Sequence, residues 1–293
     1  MKLQLPKGRY IMAVSGGVDS VALLNTLSKQ KDLSLVVAHF DHGIRPDSSK
    51  DRQFVQALAE EYGLPFEYAD GNLGPNASEA AAREARYKFL LDVKDKHGAM
   101  AIITAHHQDD VVETTIINLL RGTGRKGLTS LASKAGIIRP LLETSKKDIL
   151  DYAVANKLEW REDSTNTDTS YLRNYVRHEL VPKLTLVQKK HLLAIIESQR
   201  SVNAQLDELL SLQLWPRTDT LERSWFIGLE HNAAREVMAA WLRTNGIRDF
   251  DRPTIERAVV GAKTAKPGKR IAIKKGVSLE VGNNNLALSG QER

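Results

Sequence analysis

The chain reads as an α/β protein, a doubly wound parallel sheet followed by a smaller, mostly helical C-terminal domain. Three observations predict this. From Arg9 to Arg121, apolar strand-like runs alternate with helical stretches, and a βαβα rhythm of this kind builds a parallel sheet with helices on both faces. The first apolar run, Tyr10-Ile11-Met12-Ala13-Val14, opens directly through Ser15-Gly16-Gly17 toward a helix. Beyond Pro182 the alternation ends and long helical stretches take over. A length of 293 residues suits two domains, expected at 1–185 and 186–293.

Taken in order, residues 9–14 read as a strand, 19–29 as a helix and 33–40 as a second strand. Asp47-Ser48-Ser49 can cap a helix running to Tyr62, which Gly63 and Pro65 stop. Phe66–Ala69 is a short strand, and a helix from about Ala77 to His97 ends at Gly98. Ala99–Ala105 is the fourth strand and 109–121 the helix after it. In the second half, His191–Leu212 reads as a long amphipathic helix able to connect two domains. A helix pair spans Trp225 to Leu242 and ends at Gly246, and Thr254–Val260 is a short helix. Arg270–Leu288 reads as β-hairpins turning at Gly282-Asn283-Asn284-Asn285. Trp215, Trp225 and Trp241 read as a small core rather than a stacking platform.

Composition narrows the function. Hydrophobic residues make up 42% of the chain, enough for a sizeable core, yet no apolar stretch approaches the roughly 20 residues of a membrane span. Pro6 and Lys7 precede any long apolar run, so no signal peptide is expected. There is no cysteine, which excludes disulfides, thiolate metal sites, iron–sulfur clusters and cysteine nucleophiles, and fits a cytoplasmic enzyme. The net charge of +6 is concentrated in two segments, Arg121–Lys147 and Arg252–Lys275, each holding a single acid (Glu143, Glu256). Such concentrations suit a polyanion larger than a nucleotide, or are solvated loop faces.

Ser15-Gly16-Gly17-Val18-Asp19-Ser20 carries the most chemistry. Glycines let a phosphate approach the backbone, and the following helix offers its positive end. The serines add hydroxyl donors, and Asp19 a carboxylate able to hold Mg²⁺. No Gly-Lys-Ser/Thr follows, so this is not a Walker-type loop. At the next strand end, His39-Phe40-Asp41-His42-Gly43-Ile44-Arg45 sets two imidazoles and a guanidinium where they can contact nucleotide. A zinc site there lacks a third ligand of fixed spacing. Arg83 and Arg86 share a helical face with Glu79, as a salt-bridged surface helix would. After the fourth strand comes His106-His107-Gln108-Asp109-Asp110-Val111-Val112-Glu113, where Asp110 and Glu113 face the same way. Those two acids either complement the helix dipole or hold Mg²⁺ or an amine substrate. Arg121-Gly122-Thr123-Gly124-Arg125-Lys126-Gly127-Leu128 reads as a mobile basic segment able to close over a substrate. Glu162-Asp163-Ser164-Thr165-Asn166 leads to Arg173 and Arg177, four apart on one helical face. Because ligands bind at the carboxyl ends of parallel strands, the glycine loop, the His39–Arg45 segment and the His106–Asp110 segment should share one crevice.

The six-residue loop resembles the signature of the PP-loop ATP pyrophosphatases, whose fold is Rossmann-like. The motifs together, in this order, resemble the tRNA(Ile)-lysidine synthetases, closely over residues 10–185 and loosely beyond. The resemblance implies a carbon–nitrogen ligase of tRNA modification. ATP adenylates the C2 carbonyl oxygen of the wobble cytidine in the isoleucine tRNA with anticodon CAU, and free L-lysine then displaces AMP. Its partners would be that tRNA, lysine and ATP with Mg²⁺, with a homodimer compatible. Carried onto this chain, the resemblance gives Asp19, Arg86, Asp110, Glu113, Arg173 and Arg177 to catalysis. Nucleotide would lie on Ser15, Gly16, Gly17, Val18, Asp19, Ser20, His39, His42 and Arg45, and lysine on His106, Asp110 and Glu113. Arg121, Arg125, Lys126, Lys269 and Arg270 would meet tRNA, and Asp19 would hold Mg²⁺. Related tRNA thiolases need cysteines, GMP and asparagine synthetases need a glutaminase domain, and NAD synthetase-like amidation would leave the basic second domain without a purpose. Longer members of the family carry a further C-terminal domain.

Overall fold

A computed structural model describes residues 3–43, 48–71, 74, 78–133, 136–161, 172–213, 219–247 and 250–290. The chain divides into two compact units, Met1–Gln199 and Arg200–Arg293.

The first unit is built on five strands: β1 (Gly8–Ala13), β2 (Leu33–Asp41), β3 (Phe66–Asp70), β4 (Ala101–Ile103) and β5 (Ile137–Ile138). All four pairings are parallel, in the order β3-β2-β1-β4-β5. Alternation along β1 supplies both faces of the sheet. Tyr10, Met12 and Val14 pack with Val21, Leu24 and Leu27 of helix α1 (Val18–Ser28), and with Val55 of α2 (Ser48–Glu61). Ile11 instead packs with Val36, Ile102 and, from α3 (Glu79–Lys96), Leu90 and Val93. The doubly wound parallel sheet expected from the sequence is therefore present.

The sheet order reverses direction between β1 and β4, the point where such sheets open a crevice at their carboxyl ends. The chain leaves β1 into the glycine loop, and leaves β4 through His106 and His107 into α4 (Gln108–Leu120). Both segments therefore flank the crevice.

Several features differ from the sequence expectation. β4 has only three residues: the Ala99 amide turns back to the Lys94 carbonyl, and Met100 donates to Arg9 O of β1 just before the strand begins. A fifth strand, β5, was not foreseen, since two consecutive isoleucines give no periodicity to read. Nor was helix α6 (Lys146–Ala155), which Ser145 caps by accepting from the Asp148 amide at 3.1 Å. After the short α5 (Arg125–Leu128) and α6, the unit continues through α7 (Leu172–Tyr175), a π turn (Val176–Leu180) and a 3₁₀ turn (Val181–Lys183).

Helix α8 (Leu186–Gln213) is longer than the expected 191–212 and contains the boundary between the units. The second unit adds α9 (Arg223–Gly228), α10 (His231–Thr244) and α11 (Arg252–Thr264). Its antiparallel sheet runs β6-β9-β8-β7, formed by β6 (Thr220–Glu222), β7 (Arg270–Lys274), β8 (Val277–Val281) and β9 (Asn285–Ser289). Gly282 N–H donates to Asn285 O at 2.8 Å, closing the expected hairpin turn. Trp241 is fully buried among Phe226, Met238 and Leu279, with Trp225 packed against them, so both serve a core. Trp215 lies outside the described residues.

Candidate active site

The glycine loop is held by its own serines. Ser20 Oγ donates to Gly17 O at 2.9 Å and accepts from Ser15 N–H at 3.3 Å. Gly16 takes φ +92°, a conformation that favours glycine, while a Cβ there would meet Phe54 and Val55 at an ordinary contact distance of 3.4 Å. Gly17 is the N-cap of α1 and brings no side-chain cap. The first amides of α1 thus keep the donor capacity that suits them to an anion.

Asp19, in the first turn of α1, faces Lys146. The ammonium donates to both carboxylate oxygens, at 2.6 and 2.8 Å. Behind Asp19 stands His107, whose Nε2 is 3.8 Å from Asp19 Oδ2 and 3.5 Å from Asp110 Oδ2. The Asp109 amide donates to His107 Nδ1 at 3.2 Å, so the neutral ring carries its proton on Nε2, toward the two carboxylates. The His107 amide in turn donates to Asp110 Oδ2 at 2.8 Å, completing a capping box at the start of α4.

Asp110 and Glu113 share a face of α4, as their spacing predicts, and Arg177 from the π turn covers that face. Its Nε and Nη2 donate to the two oxygens of Glu113, each at 2.8 Å, and Nη2 reaches Asp110 Oδ1 at 3.3 Å. Burial works against the guanidinium charge, but the hydrogen bonds and charge of Glu113, with Asp110 and Asp19 beyond, outweigh it and raise the Arg177 pKa. Six residues, Lys146, Asp19, His107, Asp110, Arg177 and Glu113, therefore form one chain of contacts.

His106 points into different surroundings from those expected of a lysine carrier. Its Nδ1 lies 2.8 Å from Thr104 Oγ1. Burial first, then the charges of Arg86, Arg139 and Arg83, push its pKa down to about 3. The ring is neutral at physiological pH, and its neighbourhood repels an ammonium.

Two expected nucleotide contacts have structural partners of their own. His39 is 4% exposed, and Nδ1 donates to Val14 O at 2.9 Å, tying the end of β2 to β1. Burial pushes its pKa down, so it is neutral. His42 packs edge-on against Phe40, ring centroids 5.0 Å apart. Arg45 and the Glu162–Asn166 motif lie outside the described residues. Arg161, just before that motif, donates its amide to Gly16 O at 3.0 Å.

The Arg121–Leu128 segment, read as mobile, is fastened to α4. Asn118 Nδ2 donates to Gly127 O at 2.7 Å, and Thr115 Oγ1 to Leu128 O at 3.0 Å. Arg121 is exposed at the end of α4, and Arg125 and Lys126 are half-buried on α5. Arg173 is half-buried on α7, and Arg177, four residues on, is turned onto Glu113. In the second unit Lys269 and Arg270 are exposed, Arg270 lying 2.7 Å from Glu280.

Sequence reading gave no site role to Lys146, His107, Tyr87 or Arg139. A signal existed for His107, which sits at an N-cap three residues before an acid; for Lys146 there was none beyond membership of a basic run. Among the described residues no group of three His, Cys, Asp or Glu could cage a metal. Mg²⁺ carried on phosphates needs only one or two carboxylates and keeps its waters, so Asp19 fits that use if Lys146 releases it. Nor is any described helix long and apolar enough to cross a membrane.

Comparison with known proteins bears directly on this arrangement. A tRNA(Ile)-lysidine synthase from Thermus thermophilus is 35% identical over 290 residues, covering 94% of this chain and 57% of that protein. One from Geobacter sulfurreducens is 41% identical over 191 residues, 61% of this chain and 41% of that protein. The chain thus spans about half the length of these relatives. Among solved structures, the U34-tRNA thiolase NcsA from Methanococcus maripaludis, with its [4Fe-4S] cluster, superposes with TM-score 0.50 at 17% identity, covering 66% of this chain and 72% of that one, a likeness of fold. The PP-loop domain profile matches residues 2–184, over the sheet and the glycine loop just described, and the chain belongs to that family.

Proposed function

We propose that this chain is a tRNA(Ile)-lysidine synthetase, a carbon–nitrogen ligase. ATP would lie with its phosphates on the glycine loop and the first amides of α1. The C2 carbonyl oxygen of the wobble cytidine attacks the α-phosphorus, the bond to the β-phosphate oxygen breaks, and pyrophosphate leaves. The ε-amine of lysine then forms its bond to C2, and AMP leaves with the carbonyl oxygen.

One adjacency supports the reading most. Asp19, at the phosphate end, and the Asp110–Glu113 pair, at the amine end, are joined through the single residue His107, at 3.8 and 3.5 Å. A phosphate loop beside an acid pair is what activating an oxygen and then delivering an amine requires. Lysine reaches the site protonated, with an unperturbed pKa near 10.4. The acid pair attracts the ammonium, and one carboxylate takes its proton as the amine attacks. Arg177, hydrogen-bonded to both acids, marks where a cation already rests. Mg²⁺, bound to the phosphates, would offset their charge, with Asp19 as its protein ligand and Lys146 released toward phosphate oxygens. Arg86 and Arg173 are the further candidates for developing phosphate charge. The exposed bases Arg121, Lys269 and Arg270, with Arg125 and Lys126, would hold tRNA.

ATP–pyrophosphate exchange tests the first half. Exchange that rises with the CAU-anticodon isoleucine tRNA supports the reading, whereas exchange indifferent to that tRNA opposes it. A PP-loop enzyme acting on a small amide acceptor would show exchange with its small substrate alone.

A further inference from the structure

Arg83, Arg86 and Arg139 gather round one phenol, Tyr87. Arg83 Cζ lies 4.7 Å from the ring centroid and Arg86 Cζ 5.3 Å, and Arg139 Nη2 donates to Tyr87 Oη at 3.4 Å. Arg139 is 5% exposed, and a second bond, from Nη1 to Ala132 O, fixes its fork. The Nε atoms of Arg86 and Arg139 are both buried without a hydrogen-bond partner. Among the described residues, none of the three guanidinium groups forms an ion pair.

This arrangement costs free energy as it stands. Each buried donor left unsatisfied costs about 1–3 kcal/mol, and the charges of Arg86 and Arg139, both shielded from water, repel each other. Proteins ordinarily set a carboxylate among such arginines. Among the described residues, the neighbours are a phenol and the neutral imidazole of His106, neither of which supplies negative charge. Burial alone would raise the Tyr87 pKa, but Arg83, Arg86 and Arg139 outweigh it and lower it, which reports the local positive field. The missing partner is an anion with several acceptor oxygens, and planar guanidinium forks match phosphate geometry.

We infer that Arg83, Arg86 and Arg139 around Tyr87 form a second phosphate seat, separate from the glycine loop. Location supports a working role. Arg139 directly follows β5, which pairs with β4, and the charges of all three arginines reach His106 just beyond β4, so the seat adjoins the carboxyl end of that strand. Arg83 is exposed, so the seat is reachable from solvent by a chain too large to enter a closed cavity. The phosphate is either a backbone phosphodiester of bound RNA or a phosphate group of the nucleotide. In its RNA form the inference rests on the function proposed above.

Two probes distinguish the sources: inorganic pyrophosphate, and a CAU-anticodon stem–loop RNA titrated over a range of salt. Each is measured against wild type, Arg83→Gln, Arg83→Lys and Arg86→Gln. Loss of one charge-assisted contact predicts about tenfold weaker binding in one arm, with Arg83→Lys recovering part of it. A threefold or greater loss in the RNA arm, with the salt slope falling by about 0.7–0.9, assigns the seat to a backbone phosphate. A like loss in the pyrophosphate arm assigns it to nucleotide. Should Arg86→Gln fail to fold, Arg83→Gln, altered at an exposed position, decides the matter. Arg83→Gln binding both probes within threefold of wild type overturns the seat, as does a wild type that binds neither. A wild type that takes pyrophosphate but no RNA counts against the proposed function, and the pyrophosphate arm still decides the seat.

Discussion

Lys146 holds Asp19 by both carboxylate oxygens, at 2.6 and 2.8 Å, across 127 residues of sequence. The pair stands at the mouth of the glycine loop, with the Lys146 ammonium where nucleotide phosphates would arrive. The ammonium then has two competing anions, and the phosphates carry more charge. Lys146→Met is expected to raise the KM for ATP about tenfold, the loss of one charge-assisted contact. A KM that stays level or falls would make Lys146 only a stopper on Asp19. Asp19→Ala is expected to abolish turnover while leaving tRNA affinity nearly intact; equal loss of both contradicts the role given to Asp19.

The acid pair on α4 should separate the two half-reactions. Glu113→Gln keeps the shape and removes the charge. It is expected to raise the KM for lysine at least tenfold while leaving tRNA-stimulated ATP–pyrophosphate exchange nearly unchanged. Steady-state kinetics on each half-reaction checks this, and equal damage to both means that Glu113 serves the fold alone.

Stability carries a related signature. Glu113 is 3% exposed, so Arg177→Met leaves a buried carboxylate without its bidentate partner. Removing one partner of a buried pair costs about 3–5 kcal/mol, and the lower end applies because the Arg177 side chain is 33% exposed. The Arg177→Met/Glu113→Gln double variant should be more stable than the sum of the singles predicts. Denaturant unfolding of the four proteins measures the coupling.

His106 makes the fold sensitive to acid. Its pKa falls from 6.5 when unfolded to about 3 in the folded chain. Between those values the unfolded state binds the extra proton, so stability rises with pH through the window and is lost as pH falls below about 6.5. The slope due to this one group approaches about 1.4 kcal/mol per pH unit. His106→Gln should flatten the dependence between pH 6.5 and 5, where carboxylates contribute least. Unfolding curves at several pH values test it, and an unchanged slope would place the imidazole in contact with water.

The glycine loop depends on Gly16 for its shape. Gly16→Ala forces an L side chain to φ +92°, and this backbone strain, not steric crowding, sets the cost. The expected loss is about 1–2 kcal/mol, read as a lowered Tm, together with weaker ATP binding.

These residues show where sequence was informative and where it was not. The sheet was legible because alternation along β1 and the glycine turn after it are local patterns. Asp110 and Glu113 were legible as a pair because i and i+3 share a helical face whatever the tertiary structure. The covering of that face by Arg177 was not, because a contact between residues 64 apart leaves no local trace. The same holds for Lys146 on Asp19. Arg139 looked like one base in a solvated run, and its burial beside Tyr87 follows from β5, a strand too short to announce itself. His106 and His107 read alike in sequence, yet one borders carboxylates and the other arginines.

The most direct test of the account supplies purified protein with ATP, Mg²⁺, labelled L-lysine and either the isoleucine or the methionine tRNA bearing a CAU anticodon. Digestion and mass spectrometry then read the wobble nucleoside. The account predicts lysine joined to C2 of the wobble cytidine in the isoleucine tRNA, with one AMP and one pyrophosphate released per lysine and the methionine tRNA left unmodified. ATP cleavage without lysine transfer to either tRNA would contradict it.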